Sequence, residues 1–321
     1  MRRWGPKREA VPSLTGLIAV EAAARLGSFG AAAREMGLTQ GAVAQKVRGL
    51  EAQFGFALFE RRPRALVPTP ACLAYAEAAR AALGDLGAAT RTLVESASPE
   101  PTGHVVVSAS PSFAARWLIP RLERFARAHP GVAVRIDATE QPRPLAGPDA
   151  VDLAIRWGVA PFAGARAERL LPAALQAVCT PELQRRHSFA TPADLVAAPL
   201  IGDTHDLWDR WLVGHGVAPD AIDGPRVTQT ALAIEAAVAG LGVALAPRVF
   251  VAEALATGTL VPAIDGFGDI AVEAGFHLLR AERRAPGRAV SAMRDWLLAE
   301  ARDALSGDTD GNDRQRPPGE I

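Results

Sequence analysis

Two glycine breaks cut the chain between Leu14 and Phe54 into three short helical stretches, and that punctuation constrains the fold more than any other feature. Leu17, Ile18, Ala22 and Leu26 recur at helical spacing, and the run stops at Gly27. Ser28 stands where a cap would open a second helix, Gly30–Met36, which Gly37 ends. Thr39 caps a third, reaching about Phe54, with Val43, Val47 and Leu50 on its apolar face. Gln40, Gly41, Ala44, Gln45 and Arg48 are expected on the opposite face. Ala31, Ala32 and Ala33 let the second helix approach its neighbours closely. Three short helices with a tight turn between the last two describe a helix-turn-helix.

The next residues extend that unit. Leu58 and Phe59 are apolar anchors for Glu60–Pro68, which reads as a hairpin or wing carrying Arg61, Arg62 and Arg64. An Ala-rich helix is expected from Thr69 to Val94, with Pro70 in its first turn. Ala76, Leu83, Leu86, Thr90 and Leu93 lie on an a/d-like seam, which predicts dimerisation through a short coiled coil. Glu95–Gly103 reads as a hinge.

After Gly103 the pattern changes to strands alternating with helices. Strands are expected at Val105–Val107, Val132–Ile136, Val151–Ile155, Leu175–Cys179, Pro199–Ile201, Val243–Ala246 and Ala274–Leu279. Helical stretches separate them, and a last helix covers roughly Pro286–Leu305. This predicts an α/β body with largely parallel sheets. Ser306–Ile321, almost without apolar residues, reads as a disordered tail. The domain plan is therefore 12–69, 70–94, 95–103, 104–305 and 306–321.

Charge divides at the same place. The 35 basic and 35 acidic side chains cancel over 321 residues. Residues 1–70, however, hold 11 Lys or Arg against 5 Asp or Glu, leaving the remainder with 24 against 30. A basic head on an acidic body points to a polyanion-binding module joined to something else. Arg2, Arg3, Lys7 and Arg8 form a basic arm that reads equally well as merely disordered or as functional. On the third helix, the first turn at Thr39-Gln40 is positioned to face phosphates and base edges. Gln40 suits bidentate reading of adenine, a pair that discriminates by about 1–3 kcal/mol. Arg61, Arg62 and Arg64 suit phosphates or a minor groove.

Other function classes lack their signatures. No G-x-S-x-G, S-x-x-K, H-E-x-x-H or G-x-x-x-x-G-K occurs, and the six histidines show no metal-ligand spacing. An enzyme, a metal and a cofactor are therefore not expected. No run of about 18 uncharged apolar residues suggests a membrane span. The N-terminal residues do not resemble a secretory signal. Cys72 and Cys179 stand far apart, and the pair suits a reducing cytoplasm.

The block S-F-G-A-A-A-R-E-M-G-L-T-Q-G-A-V-A-Q-K-V-R-G-L-E (Ser28–Glu51), followed by G-F-A-L-F-E-R-R-P-R-A-L-V-P-T-P-A, resembles the N-terminal domain of LysR-type transcriptional regulators. The resemblance covers about Pro12 to Ala304. P-S-F-A-A-R-W-L-I-P-R-L (Pro111–Leu122), V-D-L-A-I-R-W-G (Val151–Gly158) and E-A-A-V-A-G-L-G-V-A-L-A-P (Glu235–Pro247) resemble the glycine-cleavage and β-lactamase regulators within that family. The chain departs from the family's usual residues at Ala44 (commonly serine), Pro68 (leucine) and Cys72 (glycine).

The resemblance implies an N-terminal all-α winged helix-turn-helix with a linker helix. It also implies a C-terminal α/β, periplasmic-binding-protein-like (type 2) effector domain of two subdomains around a cleft. Double-stranded DNA would be met by Thr39, Gln40, Gly41, Ala44, Gln45, Lys46, Arg48, Arg61, Arg62 and Arg64. A small-molecule effector would be met by Ser110, Ser112, Thr139, Asp203, Thr204, Thr228 and Gln229. Helix caps and turns are equally good roles for those hydroxyls. Asp203 would suit an amine on the ligand, and Arg156 is expected to pair with a neighbouring acidic side chain rather than with a ligand carboxylate. The family pattern also implies a homodimer or homotetramer, with RNA polymerase as a further candidate partner. The competing reading is a solute-binding protein built on the same α/β body.

Overall fold

The computed structural model describes residues 12–62, 65–96, 100–147, 149–218, 223–264, 270–282 and 286–312. These form two compact units, the first of the residues up to Leu93 together with 146–150, the second of the remainder. The basic arm and the residues beyond 312 lie outside the described residues, as does part of the expected hinge.

In the first unit, α1 (Leu14–Leu26), α2 (Phe29–Met36) and α3 (Gln40–Phe54) follow the predicted punctuation. Ser28 Oγ accepts from Ala31 N at 3.3 Å, and Thr39 Oγ1 accepts from Ala42 N at 3.3 Å, each satisfying an otherwise orphaned helix donor. Gly37 closes α2 at φ 64°, a left-handed conformation that strains any residue with a Cβ, and Leu38 N donates back to Ala33 O. Ala19, Val20, Ala32, Ala33, Val43, Val47 and Leu50 form the core, and Leu58 and Phe59 close it.

The wing is a two-stranded antiparallel hairpin, β1 (Phe59–Arg62) and β2 (Ala65–Pro68), with Phe59 opposite Pro68. Glu51 on α3 holds its root: Oε1 accepts from Leu58 N at 2.8 Å and from Phe59 N at 3.3 Å. Glu51→Ala leaves two half-hidden N–H groups without that acceptor. It should destabilise the first unit by about 1–3 kcal/mol in chemical denaturation, with Glu51→Gln recovering most of the loss.

The linker helix α4 spans Pro70–Ser96, two residues further than expected, and Thr69 Oγ1 accepts from Cys72 N at 3.1 Å at its start. Leu73, Leu86, Leu93 and Val94 on it are exposed.

The second unit opens with β3 (Gly103–Ala109), α5 (Pro111–Phe113), a π-helical turn (Ala114–Leu118) and α6 (Ile119–Ala128). It continues through β4 (Val132–Ala138), β5 (Leu153–Gly158), β6 (Ala165–Cys179), α7 (Pro181–His187) and a 3₁₀ turn (Pro192–Ala197). There follow β7 (Leu200–Ile201), α8 (Leu207–Gly214), α9 (Thr230–Val238), β8 (Val243–Pro247), α10 (Arg248–Ala256), β9 (Val261–Pro262), β10 (Ile270–Ala281) and α11 (Arg288–Asn312).

The sheet order is β4-β3-β5-β10-β6-β8-β7, with β9 paired to β6. The expectation of largely parallel sheets needs correction. β3 pairs in parallel with β4 and β5, and β7 with β8, but β10 runs antiparallel to β5 and β6, and β6 antiparallel to β8. The cause is the length of β6 and β10. β6 pairs with β10 as far as Leu175 and from there takes up β8 and β9, so these two strands join the halves of the sheet. The sequence pattern revealed only their most apolar stretches.

One core cluster centres on Phe113, Trp117, Phe125, Leu153, Phe276 and Met293; another surrounds Leu195, Trp208, Trp211 and Leu212. The expected tail boundary at residue 306 also moves. α11 continues to Asn312, with no proline to stop it there and Ser306 Oγ donating to Arg302 O one turn back.

Both cysteines are buried and free. Burial pushes each thiol up to about 11, with Glu51 adding to the effect at Cys72. Raised values mean that the neutral thiols contribute stability in full below the ordinary thiol range, and that this contribution fades as pH rises from about 9 towards 11. An aromatic disulfide reagent at pH 8 should therefore label neither cysteine in the native chain and both after denaturation.

Candidate functional site

Two surfaces carry the residues singled out by sequence. On α3, Thr39, Gln40, Gly41, Gln45 and Arg48 are exposed, so the face opposite Val43, Val47 and Leu50 is open to a partner. Lys46 is half-buried, and its Nζ donates to Thr15 Oγ1 at 3.2 Å, tying α3 to α1. Ala44 corrects the helical-face expectation, because it is buried. It follows Val43 and lies one turn before Val47, at the edge of the apolar face.

Arg61 and Arg62 lie on β1, opposite Leu66 and Ala65, at the open end of the wing. Arg64 falls outside the described residues. Arg25 is already held by Glu21 at 3.0 Å and Glu35 at 2.5 Å, which leaves it little capacity for an outside anion.

In the second unit, a cavity of about 170 Å³ opens at the ends of β3, β5 and β8. Trp157, Leu207, Pro247, Phe250 and Phe276 form its apolar wall. The register of β5 against β10 sets Phe276 directly opposite Trp157, with ring centroids 4.9 Å apart and nearly perpendicular. Phe250 stands 5.3 Å from Phe276. Such pairs hold a rigid, water-poor wall.

The polar lining comprises Ser110, Ser112, Thr230, Arg156, Glu140 and His205. Ser110 Oγ caps α5 by accepting from Phe113 N at 3.3 Å. Ser112 Oγ accepts from Ala231 N at 3.0 Å. Thr230 Oγ1 donates to Asp203 Oδ2 at 2.6 Å.

Of the seven residues carried over for a ligand, the cavity brings together Ser110 and Ser112. The other five do not line it, and local bonds explain most of them. Thr139 Oγ1 accepts from Gln141 N at 3.1 Å, and Thr204 Oγ1 donates to Thr228 O at 3.1 Å. Asp203 is buried outside the cavity lining and is engaged at both oxygens, by Thr230 and by His205 N at 2.9 Å. Gln229 occupies the position before α9 without capping it through its side chain.

Arg156 departs from expectation in the opposite direction. Among the described residues no carboxylate lies within ion-pair distance of it. It donates to Ile155 O at 2.8 Å, Ser108 Oγ at 2.7 Å and Gln141 O at 3.1 Å, all neutral acceptors. Burial lowers its pKa, and the more distant Glu140 and Asp137 partly oppose that shift.

The lining residues missed in sequence fall into two kinds. Thr230 opens α9 directly after Thr228 and Gln229, so a hydroxyl beside two residues already singled out was its signal. Trp157 and Phe276 gave no such signal, because only the β5–β10 register makes them neighbours. Among the described residues no cluster of His, Cys, Asp and Glu could hold a metal ion, and no helix is long and apolar enough to cross a membrane.

Two family profiles match this arrangement. One, the bacterial regulatory helix-turn-helix protein of the lysR family, covers residues 14–73; the other, the LysR substrate binding domain, covers residues 98–302. The chain belongs to the LysR family. It is a LysR-type transcriptional regulator with an effector-binding domain.

Relatives of this LysR regulator extend over nearly its whole length. It is 34% identical to the HTH-type transcriptional activator AmpR of Citrobacter koseri, over 89% of this chain and 97% of that one. It is 35% identical to the glycine cleavage system transcriptional activator of Escherichia coli (strain K12), over 91% and 94%. In structure it resembles the effector domain of AmpR from Pseudomonas aeruginosa, with TM-score 0.56 and 29% identity, over 65% of this chain and 99% of that one. That neighbour matches the unit that holds the cavity.

Proposed function

We propose that this LysR regulator acts in the cytoplasm as a homo-oligomer, a dimer or a dimer of dimers, on double-stranded DNA. The observation that carries the reading is the pairing, in one chain, of an open α3 face with a cavity in a separate unit. Thr39, Gln40, Gly41, Gln45 and Arg48 would enter the major groove, and Arg61, Arg62 and Arg64 of the wing would reach phosphates or the minor groove. Exposed Leu73, Leu86 and Leu93 on α4 support pairing of two chains, which would set two such faces on a two-fold operator.

A small molecule in the cavity would shift the oligomer between DNA-bound geometries, a coupling that typically amounts to about 1–3 kcal/mol. RNA polymerase is a further candidate partner through which such a shift would act on transcription. The reading assigns no chemical reaction, metal or cofactor to the chain. The solute-binding alternative gains nothing from the N-terminal unit, whose exposed groups serve no transport role. The test is fluorescence anisotropy of the full chain on DNA from upstream of its own gene. Specific binding that weakens steeply with salt is expected, and equal affinity for unrelated DNA overturns the reading.

A further inference from the structure

The cavity's polar groups point to a ligand rich in acceptors. Ser110 and Ser112 each use a lone pair of Oγ to take a backbone N–H, so each retains a hydroxyl proton to offer. Arg156 adds a guanidinium whose bonds inside the protein all go to neutral oxygens. Those three bonds engage three of its five N–H donors, and no carboxylate among the described residues pairs directly with its half-buried positive charge. Thr230 has already given its proton to Asp203 and can only accept.

The one carboxylate in the lining, Glu140, is exposed and keeps its water. Opposite these donors stands the wall of Trp157, Phe250 and Phe276, which would cover an apolar body. We infer that the cavity takes a small carboxylate with an apolar or aromatic end, its carboxylate held by Arg156, Ser110 and Ser112. The inference rests on the assignment of this cavity as the effector site. A free acid and an α-amino acid share this chemistry; the amino acid would in addition turn its ammonium towards Glu140.

The test uses the full chain with 3-phenylpropionate, phenylalanine and 3-phenylpropionamide, followed by calorimetry and thermal shift. At least one of the two acids should bind saturably and about tenfold or more tighter than the amide. Phenylalanine binding better than phenylpropionate identifies the amino-acid form, and the reverse order the free acid. Arg156→Gln, which can still donate to Ser108 and Gln141, should lose the preference for the acid, and Arg156→Lys should restore part of it. The comparison of acid with amide in the unaltered chain stands even if a variant fails to fold.

Equal binding of the amide, an unchanged preference in a folded Arg156→Gln, or no saturable binding of either acid overturns the inference. Operator anisotropy on the same samples separates the two readings. Specific DNA binding without carboxylate binding removes this inference alone. Carboxylate binding that leaves every operator complex unchanged removes the effector assignment and keeps the anion site.

Discussion

Phe113→Ala should cost the second unit about 3–5 kcal/mol and abolish ligand binding with it. The ring is fully buried, 5.0 Å from Trp117, 4.8 Å from Phe276 and 6.0 Å from Phe250, so truncation opens a space that three rigid aromatic neighbours cannot collapse into. A typical domain has about 5–15 kcal/mol in all, so the loss is a large share of the total. Phe250 and Phe276 line the cavity and lean on the same ring, which couples the site to the core. Guanidinium denaturation should show the midpoint of the second unit falling well below that of the unaltered chain. Phe113→Leu, which keeps most of the volume, should lose much less. A Phe113→Ala chain with an unchanged midpoint would mean that this ring does not hold the core.

The second large effect belongs to the open face of α3. Gln40→Ala should lower operator affinity by about 1–3 kcal/mol, with the loss confined to sites carrying the base pair that Gln40 reads. Arg48→Ala should weaken binding to all sequences and make the salt dependence shallower by about one counter-ion, if its partner is a phosphate. Both side chains are exposed and neither serves the core, so thermal stability should stay nearly constant. Ala44 provides the contrast. Because it is buried, Ala44→Gln should disturb packing and stability instead of changing sequence preference. Anisotropy titrations on the operator and on single-base variants, at two salt concentrations, separate these outcomes.

The first unit was legible because its information is local. Gly27-Ser28, Gly37 and Thr39 dictate where helices stop and start through caps and left-handed turns that depend on a few neighbouring residues. Ala44 was misplaced because the width of a buried face depends on how closely adjacent helices pack, which helical spacing alone does not specify. The second unit was legible as alternating strands and helices, but not as a mixed sheet. Antiparallel pairing of β10 with β5 and β6 joins residues 95 to 125 positions apart.

The cavity followed the same division. Ser110 and Ser112 were visible because a hydroxyl after a strand and before a helix is a local signal. Thr139 and Thr204 gave the same signal, and their hydroxyls serve a turn and a loop bond. Nothing local separates a hydroxyl that faces a ligand from one that satisfies its own backbone. Arg156 reversed its expected role because its surroundings, Ser108 on β3 and the carbonyl of Gln141, come from other strands and loops.

The central claim is that this LysR regulator couples a DNA-reading unit to a ligand-binding unit. The most direct measurement is anisotropy of the full chain on its own upstream DNA, titrated with and without a saturating cavity ligand. The account predicts specific, salt-sensitive binding, weakened by Gln40→Ala, and an operator affinity or stoichiometry that changes when the cavity is filled. Binding of equal strength to unrelated DNA, or an operator complex indifferent to both Gln40→Ala and a bound ligand, would contradict it.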